Sequence, residues 1–413
     1  MRIAIFSDFH IGFGHGTARS DEAFGQACAA FELALKEKAD LILLAGDLFN
    51  ESVPSQDAWL EMFKLFNIPK REKLPVSRVV CEKGAWRKEF FFDSVPVISI
   101  AGTHEFRSKD FRNALEVLQE AGCLVFLHAA KAFFEKGGEK IVVQGMSGVP
   151  EKKALDALRM WNPKPAEGAC NILLLHQSIK EFLPFDDDMV ASISLADLPL
   201  GFDLVVDGHL HWASEQNLES RRFLVTGSTV VTQMKKLEAK KPKGIFVFET
   251  GGKGVRFVPL PGQRVFLFEK LEFREAGLEQ VRNTVEETVS KMLSSANGKP
   301  LIKLKLKGSL AKGLNNADVD LRSVGARFAE KAFLFIDCDF EESGFKQKLE
   351  QLRNAQLGSK SIAAMGFELL EKNLGETQFR EAFDIKRVFD LLAEGNIDRV
   401  VELLSEAKAA TKA

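Results

Sequence analysis

The chain has 413 residues, enough for two or three domains at about 150 residues each. Its 46% hydrophobic fraction can build a sizeable core and argues against global disorder. With 56 basic against 58 acidic residues the net charge is -2, which excludes a strongly basic coat, so any phosphate-binding surface must be local.

The five cysteines are scattered without a CxxC pair, the pattern of buried thiols in a reducing compartment. The apolar run at the N-terminus ends at Asp8, too short for a signal peptide, and no stretch approaches the roughly 20 apolar residues of a membrane span. The expectation is a cytoplasmic protein with no membrane partner. Tyrosine is absent while there are 35 phenylalanines. Phenylalanine keeps the ring's apolar contact and lacks the hydroxyl, a trait that says little about function.

In chain order, apolar runs at Ile3–Phe6, Leu41–Leu44, Val97–Ile100, Ile141–Val143, Ile172–Leu175, Leu204–Val206, Phe223–Val225 and Ile245–Phe248 predict buried strands. Helical patterns lie between several of them. One covers Phe24–Lys36, a second carries Trp59, Met62, Phe63 and Phe66, and a third carries Phe111, Leu115 and Leu118. Strands alternating with helices predict an α/β layered fold. The charged stretch Ile68–Phe92 reads as an irregular insertion or extended loop. Lys235–Lys243 (KKLEAKKPK) reads as a basic hairpin, either solvated or touching a phosphate backbone.

After Pro261-Gly262, residues 264–340 read strand, helix, strand, helix, strand, a second and smaller α/β domain. In its run LIKLKLK, Lys303, Lys305 and Lys307 alternate with Leu304 and Leu306, giving one buried face and one basic face, either plain solvent surface or a DNA contact. Residues 341–375 are polar and linker-like. Ile385, Val388, Phe389 and Leu392, then Ile397, Val400, Val401 and Leu404, form two apolar stripes separated by Gly395-Asn396. They predict a helical hairpin that docks on a partner. The expected division is therefore 1–262, 263–340, a linker at 341–375, and the hairpin at 376–413.

Five short polar motifs follow the apolar runs: Asp8-Phe9-His10, Gly46-Asp47, Gly102-Thr103-His104-Glu105, His176, and Gly208-His209-Leu210-His211. Each alone is a weak signal. Five in one order, each at a strand's carboxyl end where α/β sheets bind ligands, are a strong one. Carboxylate and imidazole suit a hard or borderline divalent metal, an anionic Asp47 suits a bridging position, and the lack of thiolates disfavours a structural zinc. A D-x-H pair can serve one ion if the backbone bends there. Two cations about 3.5–4 Å apart can clamp a phosphodiester for in-line attack.

The ordered set DxH, GD, GxHE, H, GHxH over residues 1–260 resembles the calcineurin-like metallophosphoesterases. SDFHIG, GDLFN, AGTHE, LLLHQ and GHLH followed by TGSTVV, with a cap domain and a terminal hairpin, narrow the likeness to double-strand-break repair nucleases called Mre-eleven in archaea and eukaryotes and SbcD in bacteria. The resemblance implies an α/β fold: a metallophosphoesterase β-sandwich flanked by helices in α/β/β/α layers, with a smaller α/β cap domain and a C-terminal helical hairpin. It implies two divalent ions, Mn2+ foremost. One would be held by Asp8, His10, Asp47 and His211, the other by Asp47, Thr103, His176 and His209, with His104 beside the scissile phosphate. His15 and Arg19 would face DNA, while His128, outside every motif, is structural.

The resemblance further implies 3′-to-5′ exonuclease action on duplex DNA ends and endonuclease action on single strands, at the nucleoid. The partners would be a Rad-fifty or SbcC-type ABC ATPase, bound by the hairpin, and a second copy of the chain, through helices near 55–66 and 107–120. The same metal motifs also fit another dinuclear phosphodiesterase or phosphatase, or a DNA-binding scaffold with an impaired site. Two positions depart from the family pattern. Thr103 stands where Asn is commonest and could ligate directly, act through water, or leave the second ion loosely held. Asn50 stands where many relatives carry Asp or His.

Overall fold

The structure is a computed structural model that describes residues 1–106, 111–183, 193–218, 221–341, 386–388, 391, 399–401 and 403. Its first elements are β1 (Arg2–Phe6), α1 (Glu22–Lys36), β2 (Leu41–Leu44), α2 (Gln56–Phe66), β3 (Ser77–Lys83), β4 (Trp86–Phe92), β5 (Val97–Ser99) and α3 (Ala114–Glu120). There follow β6 (Val125–Phe126), β7 (Ala130–Lys136), β8 (Glu139–Gly145), α4 (Glu151–Trp161), β9 (Cys170–Leu175), β10 (Leu204–Asp207), β11 (Ser214–Leu218) and β12 (Arg221–Val225). The last are β13 (Gly244–Glu249), β14 (Gly254–Pro259), β15 (Phe266–Ala276), α5 (Leu278–Ser294), β16 (Leu301–Leu310), α6 (Arg322–Phe328) and β17 (Phe333–Glu341).

All eight strands expected from apolar runs are present. Two sheets stack with helices outside. A six-stranded sheet runs β14-β13-β1-β2-β5-β6, and an eight-stranded sheet runs β11-β12-β10-β9-β8-β7-β3-β4. Their facing sides form one core, in which Ile3, Ile5, Leu41, Leu43 and Ile98 meet Val143, Ile172, Leu174, Leu204 and Val206. On the outer side of the first sheet, Ala4, Phe6, Ile42 and Leu44 pack with Ala27 and Phe31 of α1, Met62 and Phe66 of α2, and Leu115 and Leu118 of α3. On the outer side of the second, Leu173, Leu175, Val205 and Phe223 pack with Ala154 and Leu158 of α4. These are the α/β/β/α layers expected. β1, β2 and β5 pair in parallel, as do β9 and β10, so in each group the carboxyl ends open at one edge.

The stretch 68–92 is not an irregular insertion. It holds the antiparallel pair β3–β4, with Ser77 opposite Phe92 and Lys83 opposite Trp86. The charges on WRKEFFF mark a sheet edge, where lysine and arginine discourage pairing with other chains. The two apolar helical stripes are also used differently than expected. Met62, Phe66, Leu115 and Leu118 are buried in the chain's own core, while Leu60, Phe63, Phe111 and Val117 are the exposed apolar residues there.

The described residues divide into two compact units: 1–269 with 288–304 and 325–335, and 270–287 with 305–324 and 336–341. Residues 264–340 follow the expected strand, helix, strand, helix, strand order, and their three strands form a sheet in the order β15-β16-β17. Leu304 and Leu306 are buried, and Lys305 and Lys307 approach Asp339 at 3.8 and 3.1 Å. Of the terminal hairpin, Val388, Val400 and Val401 are helical, with Val400 buried and Val401 exposed. Ile385, Phe389, Leu392, Ile397 and Leu404 lie outside the described residues, as does the linker.

Candidate metal centre

Asp8 and His10 follow β1, Asp47 follows β2, Thr103 and His104 follow β5, His176 follows β9, and His209 and His211 follow β10. The two stacked sheets thus bring five strand ends to one rim. The backbone bends hard there. Asp8 (φ 55°), His10 (φ 51°), Asp47 (φ 49°) and His209 (φ 71°) all occupy the left-handed region. Such a conformation costs a non-glycine residue on the order of 1–3 kcal/mol and persists only where surrounding packing imposes it. Here it is imposed by adjoining strands whose buried aliphatic side chains each contribute about 1.5–3 kcal/mol. The bend lets alternate residues of D-x-H aim at the same place.

Three clusters of ligand atoms result, each with its atoms within 4.8 Å of one another: Asp8 with His10 and His211; His10 with Asp47 and His104; Asp47 with His176 and His209. His10 links the first two and Asp47 the last two. Nε2 of His10 faces Nε2 of His211 at 3.2 Å, and Asp8 Oδ1 lies 3.7 Å from the latter nitrogen. Asp47 Oδ2 lies 3.2 Å from Nε2 of His176.

Glycines make the space. A Cβ on Gly102 would stand 2.1 Å from Asp47 Oδ1, and one on Gly208 would stand 2.2 Å from the Ala45 carbonyl oxygen. Here glycine is needed for the room it gives to the ligand side chains.

The hydrogen bonds set tautomers. His176 Nδ1 donates to the Ala45 carbonyl at 2.6 Å, and His104 Nδ1 donates to the Asn50 carbonyl at 2.7 Å. A carbonyl only accepts, so in each ring the proton of the neutral form sits on Nδ1 and Nε2 is left for other use. Asn50 thus meets His104 through its main chain and not its side chain. His211 Nδ1 meets the Thr232 hydroxyl at 2.6 Å.

Burial holds His10 down to about 3 and His209 to about 4, and lowers His211 well below the ordinary imidazole range. Three uncharged rings thus offer lone pairs. Burial acts on His176 in the same sense, but the Asp47 carboxylate outweighs it and raises His176 to about 10. Burial would raise Asp47, yet the charge of His176 holds it far below the carboxylate range. Burial pushes Asp8 well above that range.

This donor set fits divalent cations. His176 Nε2 and His10 Nδ1 are buried with no hydrogen-bond partner among the described residues, the first lying near Asp47 but off the hydrogen-bonding direction. Two carboxylates and four imidazoles are ligands for Mn, Fe or Zn. Thr103 is half-buried at the same strand end.

Glu105, which sequence reasoning placed in a motif without a role, is fully buried and accepts from three backbone N–H groups: Asp47 at 3.1 Å, Phe49 at 2.7 Å and Gly102 at 2.7 Å. It ties the β2 and β5 ends together, and burial raises it to about 7. Glu151 was missed altogether. Its Oε1 lies 3.8 Å from His209 Nε2, and its Oε2 is buried without a hydrogen-bond partner. Nothing in the sequence pattern singles it out, since it opens an ordinary amphipathic helix.

His15 is exposed in the Gly12–Gly16 turn. Arg19, which the resemblance turned toward DNA, makes internal contacts. It is buried, pairs with Glu22 at 2.8 Å, donates to the Val231 carbonyl at 2.5 Å and covers the Phe13 ring at 5.0 Å. Its guanidinium is an internal strut. The basic stretch at 235–243 is not uniformly solvated either, because Lys243 and Glu238 within it are buried.

Sandwich, strand-end rim and clustered carboxylates and imidazoles define a metal-dependent phosphoesterase. The chain belongs to the calcineurin-like phosphoesterase family, whose model matches residues 1–213. Among curated proteins it is similar to the DNA double-strand break repair protein Mre11 of Saccharolobus solfataricus, 25% identical over 263 residues, covering 62% of this chain and 60% of that protein. It is similar to the double-strand break repair protein MRE11 of Coprinopsis cinerea, 25% identical over 334 residues, 68% of this chain and 44% of that one. The mouse protein of the same name is 26% identical over 373 residues, 74% of this chain and 50% of that one. The matched stretch is thus about half of these relatives' own length.

Proposed function

We propose that this chain is a manganese-dependent DNA nuclease that processes double-strand-break ends. The observation that carries the reading is the convergence of the three ligand clusters on one rim, linked through Asp47 and His10. The similarity to break-repair proteins supports DNA as the substrate. Asp8, His10, Asp47 and His211 would hold one ion; Asp47, Thr103, His176 and His209 would hold the other. Bound there, the ions supply Lewis acidity toward a phosphodiester and the activation of water.

The protein groups do the rest. Asp47, between the clusters, supplies the shared negative charge. His10, His209 and His211, held uncharged by burial, offer lone pairs without a proton to displace. His104 is fixed through Nδ1 on the Asn50 carbonyl and through its backbone N–H, which donates to Asp47 Oδ1 at 2.8 Å. Its exposed Nε2 stands at the rim to stabilise charge and hand a proton to the departing 3′ oxygen. His15 contacts DNA, with Arg19 bracing the same turn from inside. A 3′-to-5′ action on duplex ends and an endonuclease action on single strands both follow from one such centre.

The partners are DNA ends, a Rad50 or SbcC-type ABC ATPase at the Ile385–Leu404 hairpin, and a second copy of the chain. The copy would meet the exposed Leu60, Phe63 and Val117 of α2 and α3. The protein acts in association with DNA, and no helix among the described residues is long and apolar enough to cross a membrane.

The test sets a linear duplex and a DNA hairpin against a small phosphodiester, each with manganese. Cleavage of both DNAs supports the reading. Turnover of the small ester alone would point to another phosphodiesterase, and DNA binding without cleavage to a scaffold.

A further inference from the structure

Lys243 is buried, yet its ammonium is fully used. It donates to the His211 carbonyl at 2.7 Å, to the Ser228 hydroxyl at 2.8 Å and to Glu238 Oε1 at 2.7 Å, three acceptors for three protons. Both members of the Lys243–Glu238 pair are almost fully buried, with side chains 6% and 0% exposed. Replacing such a pair with apolar groups is often neutral or stabilising, so its presence is weak evidence for stability and calls for another role.

The pair's contacts indicate that role. Ser228 passes the connection on by donating to the Val230 carbonyl at 2.6 Å, and its own N–H also donates to the His211 carbonyl, at 3.4 Å. The same segment then delivers Thr232, whose hydroxyl meets His211 Nδ1. Glu238 Oε2 accepts from the Lys235 N–H at 3.1 Å, closing the turn, and Lys235 lies over the Trp212 ring at 5.9 Å. The excursion 228–243 is therefore fastened to His211 twice, to its carbonyl by the Lys243 ammonium and to its ring by the Thr232 hydroxyl, with Glu238 holding both Lys243 and the turn at Lys235.

We propose that Lys243 and Glu238 form a positioning pair that sets the orientation of His211, and through it the Asp8–His10–His211 end of the metal centre. The inference rests on the metal-centre reading above. It makes the basic excursion part of the site's framework instead of a solvated loop.

The test uses the full chain with Lys243→Met, Glu238→Gln and the double variant that removes both charges. Manganese titration is expected to show one of the two ions weakened about 10- to 100-fold, the scale on which outer hydrogen-bond partners act, and the other unchanged. His176→Ala, which strips the opposite end, is the reference for the complementary loss. In chelator-treated protein, imidazole 15N spectra should show one set of His211 signals in the wild type and a mixture in the variants. Two ions bound with wild-type affinity and an unchanged His211 spectrum would overturn the proposal. So would failure of even the charge-free double variant to fold, because the pair would then hold the domain and not the ligand. If the wild type itself binds fewer than two ions, the metal-centre reading fails, while the His211 spectra still decide the positioning role.

Discussion

Asp47 and His176 meet at 3.2 Å between two sheets, both almost completely shielded from solvent, and each holds the other in its charged form. They come from the ends of β2 and β9, strands in different sheets, so the pair marks where the two layers share one site.

That pair predicts an alkaline limb in the stability of the metal-stripped protein. His176 is raised from 6.5 to about 10 by Asp47. Its contribution is therefore fully present below pH 6.5 and is lost as pH rises toward 10, because the unfolded state gives up its proton first. Urea unfolding between pH 7 and 10 should show falling stability in the wild type and a flatter profile in His176→Gln. Manganese should flatten the wild-type profile too, since a cation replaces the proton. Equal slopes in wild type and variant would remove His176 from this role.

Glu105 should matter more for folding than its exclusion from the ligand set suggests. Glu105→Ala leaves three buried N–H groups without their acceptor. At about 1–3 kcal/mol per orphaned group, the loss should be about 3 kcal/mol or more. Glu105→Gln keeps one acceptor oxygen and should lose less. Chemical denaturation measures both, and an alanine variant within 1 kcal/mol of wild type by the same scale would contradict the assignment.

Gly102→Ala should abolish metal binding and lower stability together. The added methyl would stand 2.1 Å from Asp47 Oδ1 and 2.4 Å from the Asp47 backbone nitrogen, so both the carboxylate and the main chain at the β2 end must move. Calorimetric titration with manganese and chemical denaturation should register the losses, whereas Gly254→Ala, whose Cβ meets nothing within 4 Å, gives the background effect of the substitution. Similar behaviour of the two variants would sink the steric argument.

His104 separates chemistry from metal holding. Its ring nitrogen falls within ligand reach of His10 and Asp47, yet the ring is exposed and hung on a main-chain carbonyl. His104→Ser should lower cleavage by about 10²–10⁴-fold, the usual scale of a general acid, while both ions stay bound. Loss of an ion in that variant would make His104 a ligand instead.

Much of this was legible from residue order. The eight apolar runs were found as strands because buried parallel strands need nothing else to declare themselves. The candidate site was legible because Asp and His directly after such runs have few other reasons to be there, and the fold brings them together. Other features escaped for identifiable reasons. The β3–β4 pair was hidden by the charges of an edge. The left-handed bends at Asp8, His10, Asp47 and His209 leave no trace in residue type. Arg19 and Lys243 read as surface cations because a charge declares its burial only through its partner, and Glu22 and Glu238 sit among many other acids. The stripes on α2 and α3 divide between the core and the surface because helical periodicity shows that a face is apolar without showing what covers it.

The account stands or falls on a count of ions. Manganese binding to the full chain, followed by calorimetry with DNA cleavage assayed in parallel, should give two ions per chain in the wild type. Asp47→Ala, which removes the residue common to two clusters, should lose both ions and all cleavage. A wild type that cuts DNA with one ion or none, or an Asp47→Ala variant that keeps two, would contradict it.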